Sequence, residues 1–318
     1  MTPRHRLDHR NTDRTTGRRF IARSLALLGG VLFGIAASAS EFDPPIECRS
    51  CDSWNQPQDA FRIHGNTWYV GVAGLSAILI DTGDGLILLD GGLPQSAQPI
   101  AQSIESIGFS VADIRTIGLS HAHFDHAGGI AALQRLSGAE VIASPHAAKT
   151  LKAGRLVNDD PQFAFGYANT GFPAVEKVRI VRDGDTVALG DVNLTVVFTP
   201  GHTPGGTTFT WKSCEAGDCK AVVYADSLTP VTAPGFRFTG VPADVLRESV
   251  EKVAALDCDV FLSPHPFFFD MAEKLERVGD SNPFVDEEGC AEYAYAGLGA
   301  LEQRLSKEAS DTGSAAEP

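Results

Sequence analysis

Membrane-spanning apolar runs, clustered positive charge beyond residue 39 and a G-x-S-x-G nucleophile signature are all missing from this 318-residue chain. No uninterrupted apolar stretch reaches the roughly 20 residues needed to span a bilayer. No G-x-S-x-G elbow is present to expose a catalytic serine. Acidic side chains outnumber Lys and Arg by 40 to 26. No basic cluster beyond residue 39 offsets that excess, so binding to nucleic acid or to anionic lipid is excluded on charge. No cysteine precedes residue 48, where the first of six stands.

The first 39 residues have a different character from the rest. Seven arginines lie within residues 1–23, followed by "SLALLGGVLFGIAASA", which closes on Ala37-Ser38-Ala39. A basic region, a short apolar run and an A-x-A site read as a secretory signal, residues 1–39, cleaved after Ala39. Arg18-Arg19-Phe20 suggests the twin-arginine route, with the general secretory route as the alternative. Cleavage would remove seven of the 26 basic side chains and two of the 40 acidic ones. The remaining 19 and 38 give the mature chain a charge of about −19. A periplasmic location is expected, with no membrane association after cleavage.

In an oxidising compartment an even number of cysteines reads as disulfides, and six allow 15 pairings. Local spacing favours Cys48–Cys51 and Cys214–Cys219, which leaves Cys258–Cys290. A zinc knuckle or a redox pair at Cys48-x-x-Cys51 lacks the further ligands or the strand-to-helix context it would need.

From Phe61 onward the chain alternates strand and helix patterns. "LSAILIDTG" and "DGLILLDGG" read as strands around a turn at residues 81–85, and Ala97 to Ile107 has helical spacing stopped by Gly108. Residues 154–172 have no period and are expected to form a long functional loop. Its Phe163, Phe165 and Tyr167 would either line a substrate wall or plug the core. "VRIVRDGDTVAL", "VNLTVVFTPG", "TTFTWKS" and "KAVVYADS" are further strands. They are followed by a helix over residues 243–256, the strand "DVFLS", a helix over 291–308 and a disordered tail, 309–318. Two β-rich halves, each closed by helices, imply an α+β sandwich of two sheets packed face to face with helices outside. One domain, residues 40–308, is expected.

Chemistry concentrates in "SHAHFDHAGG", residues 120–129, where three of the nine histidines and one aspartate fall within six positions. In extended backbone His121 and His123 project to the same side. Asp125 and His126 follow, and Gly128-Gly129 would let the chain turn into the next helix. His202 in "TPGHTPGG" and His265 in "SPHP" also sit just past strands. Five imidazoles and one carboxylate are too many ligands for one tetrahedral zinc and enough for two, three on each, with an open position left at both. Two such ions can share a water and bring its pKa near 7. Asp226 in "YADS" is placed to steady a ligating histidine or to bridge the metals. His64 and His146 have no such partners and read as ordinary.

The string H-x-H-x-D-H-A-G-G, followed by "TPGHTPGGT" and a late His, resembles the metallo-β-lactamase superfamily of αβ/βα four-layer sandwiches. "WNQP", "VYADSLTP", "PHP" and "NPFVDEEGC" resemble its subclass B3. The resemblance implies one zinc on His121, His123 and His202, and a second on Asp125, His126 and His265. It implies that Ser227 and Thr229 meet the carboxylate of a β-lactam substrate. The implied activity is β-lactam hydrolysis by a monomer: a bridging hydroxide oriented by Asp125 attacks the lactam carbonyl, polarised by the first zinc, while the second stabilises the nitrogen anion. Two readings compete with it: a di-zinc hydrolase of thioesters or lactones bridged by Asp226, and a mononuclear iron oxygenase using two His and one Asp.

Overall fold

The computed structural model describes residues 41–314 except 278 and 280, so the signal of residues 1–39 and the end of the tail lie outside the described residues. Twelve strands are described: β1 (Phe61–His64), β2 (Thr67–Tyr69), β3 (Ile78–Asp81), β4 (Leu86–Leu89), β5 (Ile114–Gly118), β6 (Glu140–Ala143), β7 (Val178–Ile180), β8 (Thr186–Leu189), β9 (Val192–Phe198), β10 (Thr207–Glu215), β11 (Asp218–Tyr224) and β12 (Val260–Leu262). The α-helices are α1 (Cys51–Trp54), α2 (Ala97–Ser106), α3 (Phe124–Ala127), α4 (Ile130–Ser137), α5 (Pro145–Ala153), α6 (Tyr167–Thr170), α7 (Val241–Ala254), α8 (Met271–Glu276) and α9 (Gly289–Ser314).

The strands form two sheets. One has the order β1-β2-β3-β4-β5-β6-β7, antiparallel as far as β4 and parallel beyond it. The other has the order β12-β11-β10-β9-β8, antiparallel except for the parallel pair β11–β12. Side-chain alternation along each strand decides which core a residue joins. Ile78, Ile80, Ile87 and Leu89 turn inward to meet Leu194, Val196, Phe209 and Trp211 of the second sheet. Their neighbours Leu79, Leu86 and Leu88 turn outward and pack with Ile100 and Ile104 of α2 and Ile130 and Leu133 of α4. Leu246 and Val250 of α7 and Leu301 of α9 belong to the core of the second sheet. The expected sandwich is therefore present, and each layer follows from a period of two in the strands and 3.6 in the helices.

The sheets approach closely at Gly118. A Cβ there would stand 2.8 Å from Leu89 Cδ2 and 3.1 Å from Phe209 Cζ. A hydrogen bond also crosses the gap, with Trp211 Nε1 donating to Thr67 Oγ1 at 3.0 Å. All three expected disulfides are formed: Cys48–Cys51, Cys214–Cys219 across the β10–β11 hairpin, and Cys258–Cys290 between the start of β12 and α9.

Three expectations need correction. "VRIVRDGDTVAL" is not one strand but two, β7 in the first sheet and β8 in the second. The Arg182 N–H donates to Asp185 Oδ2, and Gly184 at φ +81° lets the chain turn between them. The last helix runs to Ser314, so the expected tail is helical from residue 309 to 314. Gly128 and Gly129 lie at ordinary helical φ, −59° and −84°. Their role is space: a Cβ would meet Pro94 Cδ at 2.4 Å from the first and Gly91 O at 2.2 Å from the second.

Phe209 is fully buried at the centre of the inter-sheet core. Phe209→Ala should cost about 3–5 kcal/mol of unfolding free energy, read as a lower denaturant midpoint with the disulfides intact.

Candidate metal centre

Strand direction gathers the chemistry at one edge. β4 and β5 run parallel, and β9, β11 and β12 share one direction in the other sheet. Their C-terminal ends lead directly to Asp90, His121, His202, Asp226 and His265. His123 ends the extended segment after β5, and α3 follows at once, carrying Asp125 and His126. Loops at one rim of a rigid sandwich thus bring together residues as distant as 121 and 265.

The six predicted donors meet as two sets of three: His121, His123 and His202, and Asp125, His126 and His265. Within each set the donor atoms lie within 4.8 Å of one another. Asp125 Oδ2 stands 3.4 Å from His126 Nε2 and 3.6 Å from His265 Nε2. Donors held about 2.0–2.2 Å from one tetrahedral ion stand about 3.3–3.6 Å apart, so Asp125 already stands at that spacing from both rings. The sets adjoin, with ring centroids of His121 and His126 4.4 Å apart. His121 Nε2 is buried without a hydrogen-bond partner. Leaving a buried ring nitrogen unpaired is costly unless a ligand completes it, and that makes the donor set fit a metal.

The remote nitrogen of four rings is held from behind. His121 Nδ1–H donates to Asp226 Oδ1 at 2.8 Å. His202 Nδ1–H donates to the Thr229 carbonyl at 2.8 Å, and His265 Nδ1–H to the Gly74 carbonyl at 3.1 Å. The Nε2–H of His123 faces both oxygens of Asp160, 3.3 Å away. Such partners fix tautomer and ring direction, so each opposite nitrogen turns to the centre.

Burial decides the charge states. It is the main reason the rings of His121, His202 and His265 resist protonation, with the neighbouring imidazoles adding to it. His202 falls to about 3 and His265 to about 4, while His121 is pushed well below the usual range. Burial pushes Asp125 upward, but the charges of His126, His265 and His123 and a hydrogen bond from His126 outweigh it and hold the carboxyl low. His126 is raised: burial opposes its charge, and Asp125 more than compensates. The rings of His121, His202 and His265 are thus lone-pair donors at neutral pH.

Around the donors lies a cleft of about 400 Å³ whose walls include Trp54, Phe165, Ser227, Thr229, Val231 and Phe267. Ser227 and Thr229 both line it. Tyr293 OH of α9 steadies this wall, donating to the Asp226 carbonyl and accepting from Leu228 N–H, both at 3.0 Å. Of the loop aromatics, Phe165 lines this cleft, while Phe163 and Tyr167 line a second one beside it. All three are exposed, so none plugs the core. A Ser-x-x-Lys spacing does occur, Ser249 to Lys252, but inside α7, where Ser249 Oγ donates to the Pro200 carbonyl. His64 and His146 lie outside both donor sets.

Two residues of the centre are not legible in the sequence. Asp90, fully buried at φ +61°, accepts from Ser120 N–H, Ser120 Oγ–H and Tyr224 OH, each at 2.7 Å. Its signal was the polar break in "LILLDGG". Asp160 gave none, being one of two adjacent aspartates in an aperiodic loop.

A model of the metallo-β-lactamase superfamily matches residues 70–265. The chain is 43% identical to the Rm3 metallo-β-lactamase, over 82% of this chain and 99% of that one, with a TM-score of 0.79. It is 44% identical to MEM-A1, a subclass B3 metallo-β-lactamase from a soil metagenome library, over 81% and 99%, with a TM-score of 0.77. It is 29% identical to a hydroxyacylglutathione hydrolase of Maricaulis maris over 160 residues, half of each chain. The chain spans only half to about two thirds of the length of the curated relatives it matches.

Because His202 binds its proton only near pH 3 when folded and near 6.5 when unfolded, the unfolded state takes up more protons between these values. Stability of the metal-free protein should therefore fall as pH drops from about 6.5 toward 3. His202→Asn should make that fall shallower in denaturant titrations at successive pH values. An equal slope in both proteins would contradict the buried neutral ring.

Proposed function

The chain belongs to the metallo-β-lactamase superfamily, and from that premise we propose that it is an exported, periplasmic β-lactamase of the subclass B3 type, with two zinc ions. The observation that carries this reading is the convergence of two complete three-donor sets in one cleft whose wall presents Ser227 and Thr229. Further support comes from the similarity to two metallo-β-lactamases over nearly their whole length. No helix among the described residues is long and apolar enough to cross a membrane.

His121, His123 and His202 would hold one ion, and Asp125, His126 and His265 the other. Bound zinc supplies a water acidic enough to ionise near neutral pH and polarises a carbonyl oxygen. The chain's residues organise the rest. The Asp125 carboxylate accepts a hydrogen bond from the attacking water and aims it at the lactam carbonyl. Ser227 and Thr229 offer hydroxyl donors to the substrate carboxylate, which turns the four-membered ring toward the donors. Trp54, Phe165 and Phe267 exclude bulk water and contact apolar substituents, so charge interactions inside the cleft are strengthened.

A thioester hydrolase is the second reading, since a hydroxyacylglutathione hydrolase is among the relatives. Asp226 argues against the bridged version of it. One oxygen already accepts from His121 Nδ1, which puts the carboxylate behind that ring, where it steadies a ligand. An iron oxygenase with a single two-His, one-Asp site would leave three of the six donors without purpose.

The mature protein should contain about two zincs and hydrolyse a chromogenic cephalosporin. A chelator should abolish the activity and added zinc restore it. His121→Ala and Asp125→Ala should each lower kcat/KM by several orders of magnitude. Turnover of S-acylglutathione without turnover of the cephalosporin, or one iron per chain, would overturn the proposal.

A further inference from the structure

Asp160 does more than end a turn. It comes from the loop between α5 and α6, is 4% exposed, and holds no place in either donor set. Both its oxygens lie 3.3 Å from His123 Nε2, and Oδ1 also accepts the Gln162 N–H at 2.8 Å. The next carbonyl, that of Pro161, accepts from Ala233 N–H at 2.9 Å. Ala233 continues the segment that carries Ser227, Thr229 and Val231, and the Thr229 carbonyl holds His202. Residues 160–162 thus join two walls of the cleft to two members of the first donor set.

We propose that Asp160 is a positioning residue that sets the direction of His123 and makes the loop of residues 154–172 part of the metal centre. A carboxylate behind imidazole fixes the tautomer with the proton on Nε2, strengthens Nδ1 as a donor and stops the ring from turning. The same carboxylate, by holding Gln162, fixes the backbone next to Phe165 in the substrate wall. Metal affinity at the first set and order in the wall are therefore coupled through one side chain. Of the four remote partners, the Thr229 and Gly74 carbonyls belong to the backbone and cannot be deleted by substitution. Asp226 stands on a strand-end segment already held by α9. Asp160 links a metal ligand to the long loop through a carboxylate that substitution can remove, and Gln162 Nε2 lies 3.5 Å from Nδ1 of the same ring.

This inference rests on the metal reading of the first donor set but not on the identity of the substrate. Its test compares the wild-type chain with Asp160→Ala and with Asp160→Asn, which is nearly isosteric and keeps an acceptor for Nε2–H. Zinc affinity is measured by competition with a chromophoric chelator, and the visible spectrum is taken after cobalt replacement. Backbone exchange over residues 154–172 is followed by hydrogen–deuterium mass spectrometry. Asp160→Ala should lose about 10–100-fold in affinity for one of the two ions, alter the cobalt spectrum and raise loop exchange. Asp160→Asn should recover part of the affinity and most of the loop protection. Wild-type affinity and spectrum in Asp160→Ala, with or without faster loop exchange, would overturn the proposal and leave a structural turn. A wild-type protein that bound neither zinc nor cobalt would instead remove the metal reading itself.

Discussion

The centre of this molecule depends on burying imidazoles together, three of which resist protonation there. A histidine in water exchanges its proton freely near neutral pH. Withdrawn from solvent and crowded against other rings, it gives up its charge, and His202 and His265 end at about 3 and 4. A neutral buried ring has one nitrogen that donates and one that must find a partner. The fold satisfies one nitrogen of His121, His123, His202 and His265 with protein groups, and leaves His121 Nε2 and His126 Nδ1 with none. Such a cluster is a net cost to the apoprotein, and a metal that completes it returns that cost as binding energy.

The cost can be borne because the surroundings are stiff. Two sheets packed through Phe209, Trp211 and the isoleucines of β3 and β4 hold the strand ends in register. Asp90 shows how much is invested at that rim: a non-glycine residue at positive φ, fully buried, with three short hydrogen bonds. It ties the end of β4 to Ser120, the residue before His121, and to Tyr224 at the end of β11. The two sheets are thereby cross-linked at the point where the donors emerge. Backbone strain of this kind persists only where the surrounding contacts over-determine it.

That "LSAILID" and "LILLD" are strands was legible from their apolar runs and flanking turns. Which of their side chains faces the other sheet and which faces the helices was not, because both runs are apolar at successive positions and show no alternation. The six donors were legible because histidines are few, and a string with every second position polar has little else to do past a strand. What else stayed hidden depends on distance along the chain. No spacing rule joins Asp160 to His123 or Tyr224 to Asp90, because those pairings arise only after both halves have folded. The split of β7 from β8 escaped because a turn of four residues looks the same inside one sheet as between two. The double glycine was found, but the reason given was wrong. Sequence shows that a side chain is missing; only packing shows that Pro94 and Gly91 need the space.

The walls of the cleft and its donors differ in how firmly they are tied. The donors sit on strand ends shared by both cores, whereas Phe165 is half-exposed on a loop with few buried side chains. A rigid reacting centre beneath a looser apolar wall suits substrates that share one reacting group and vary in their substituents. The centre then fixes the carbonyl while the wall adapts. That division works only if the wall keeps its distance from the metals as it adjusts. Residues 160–162 supply such a fixed point, since they join the loop to His123 and to the opposite wall at Ala233. The loop can vary beyond residue 162 without disturbing the donors, and Asp160 marks where its freedom ends.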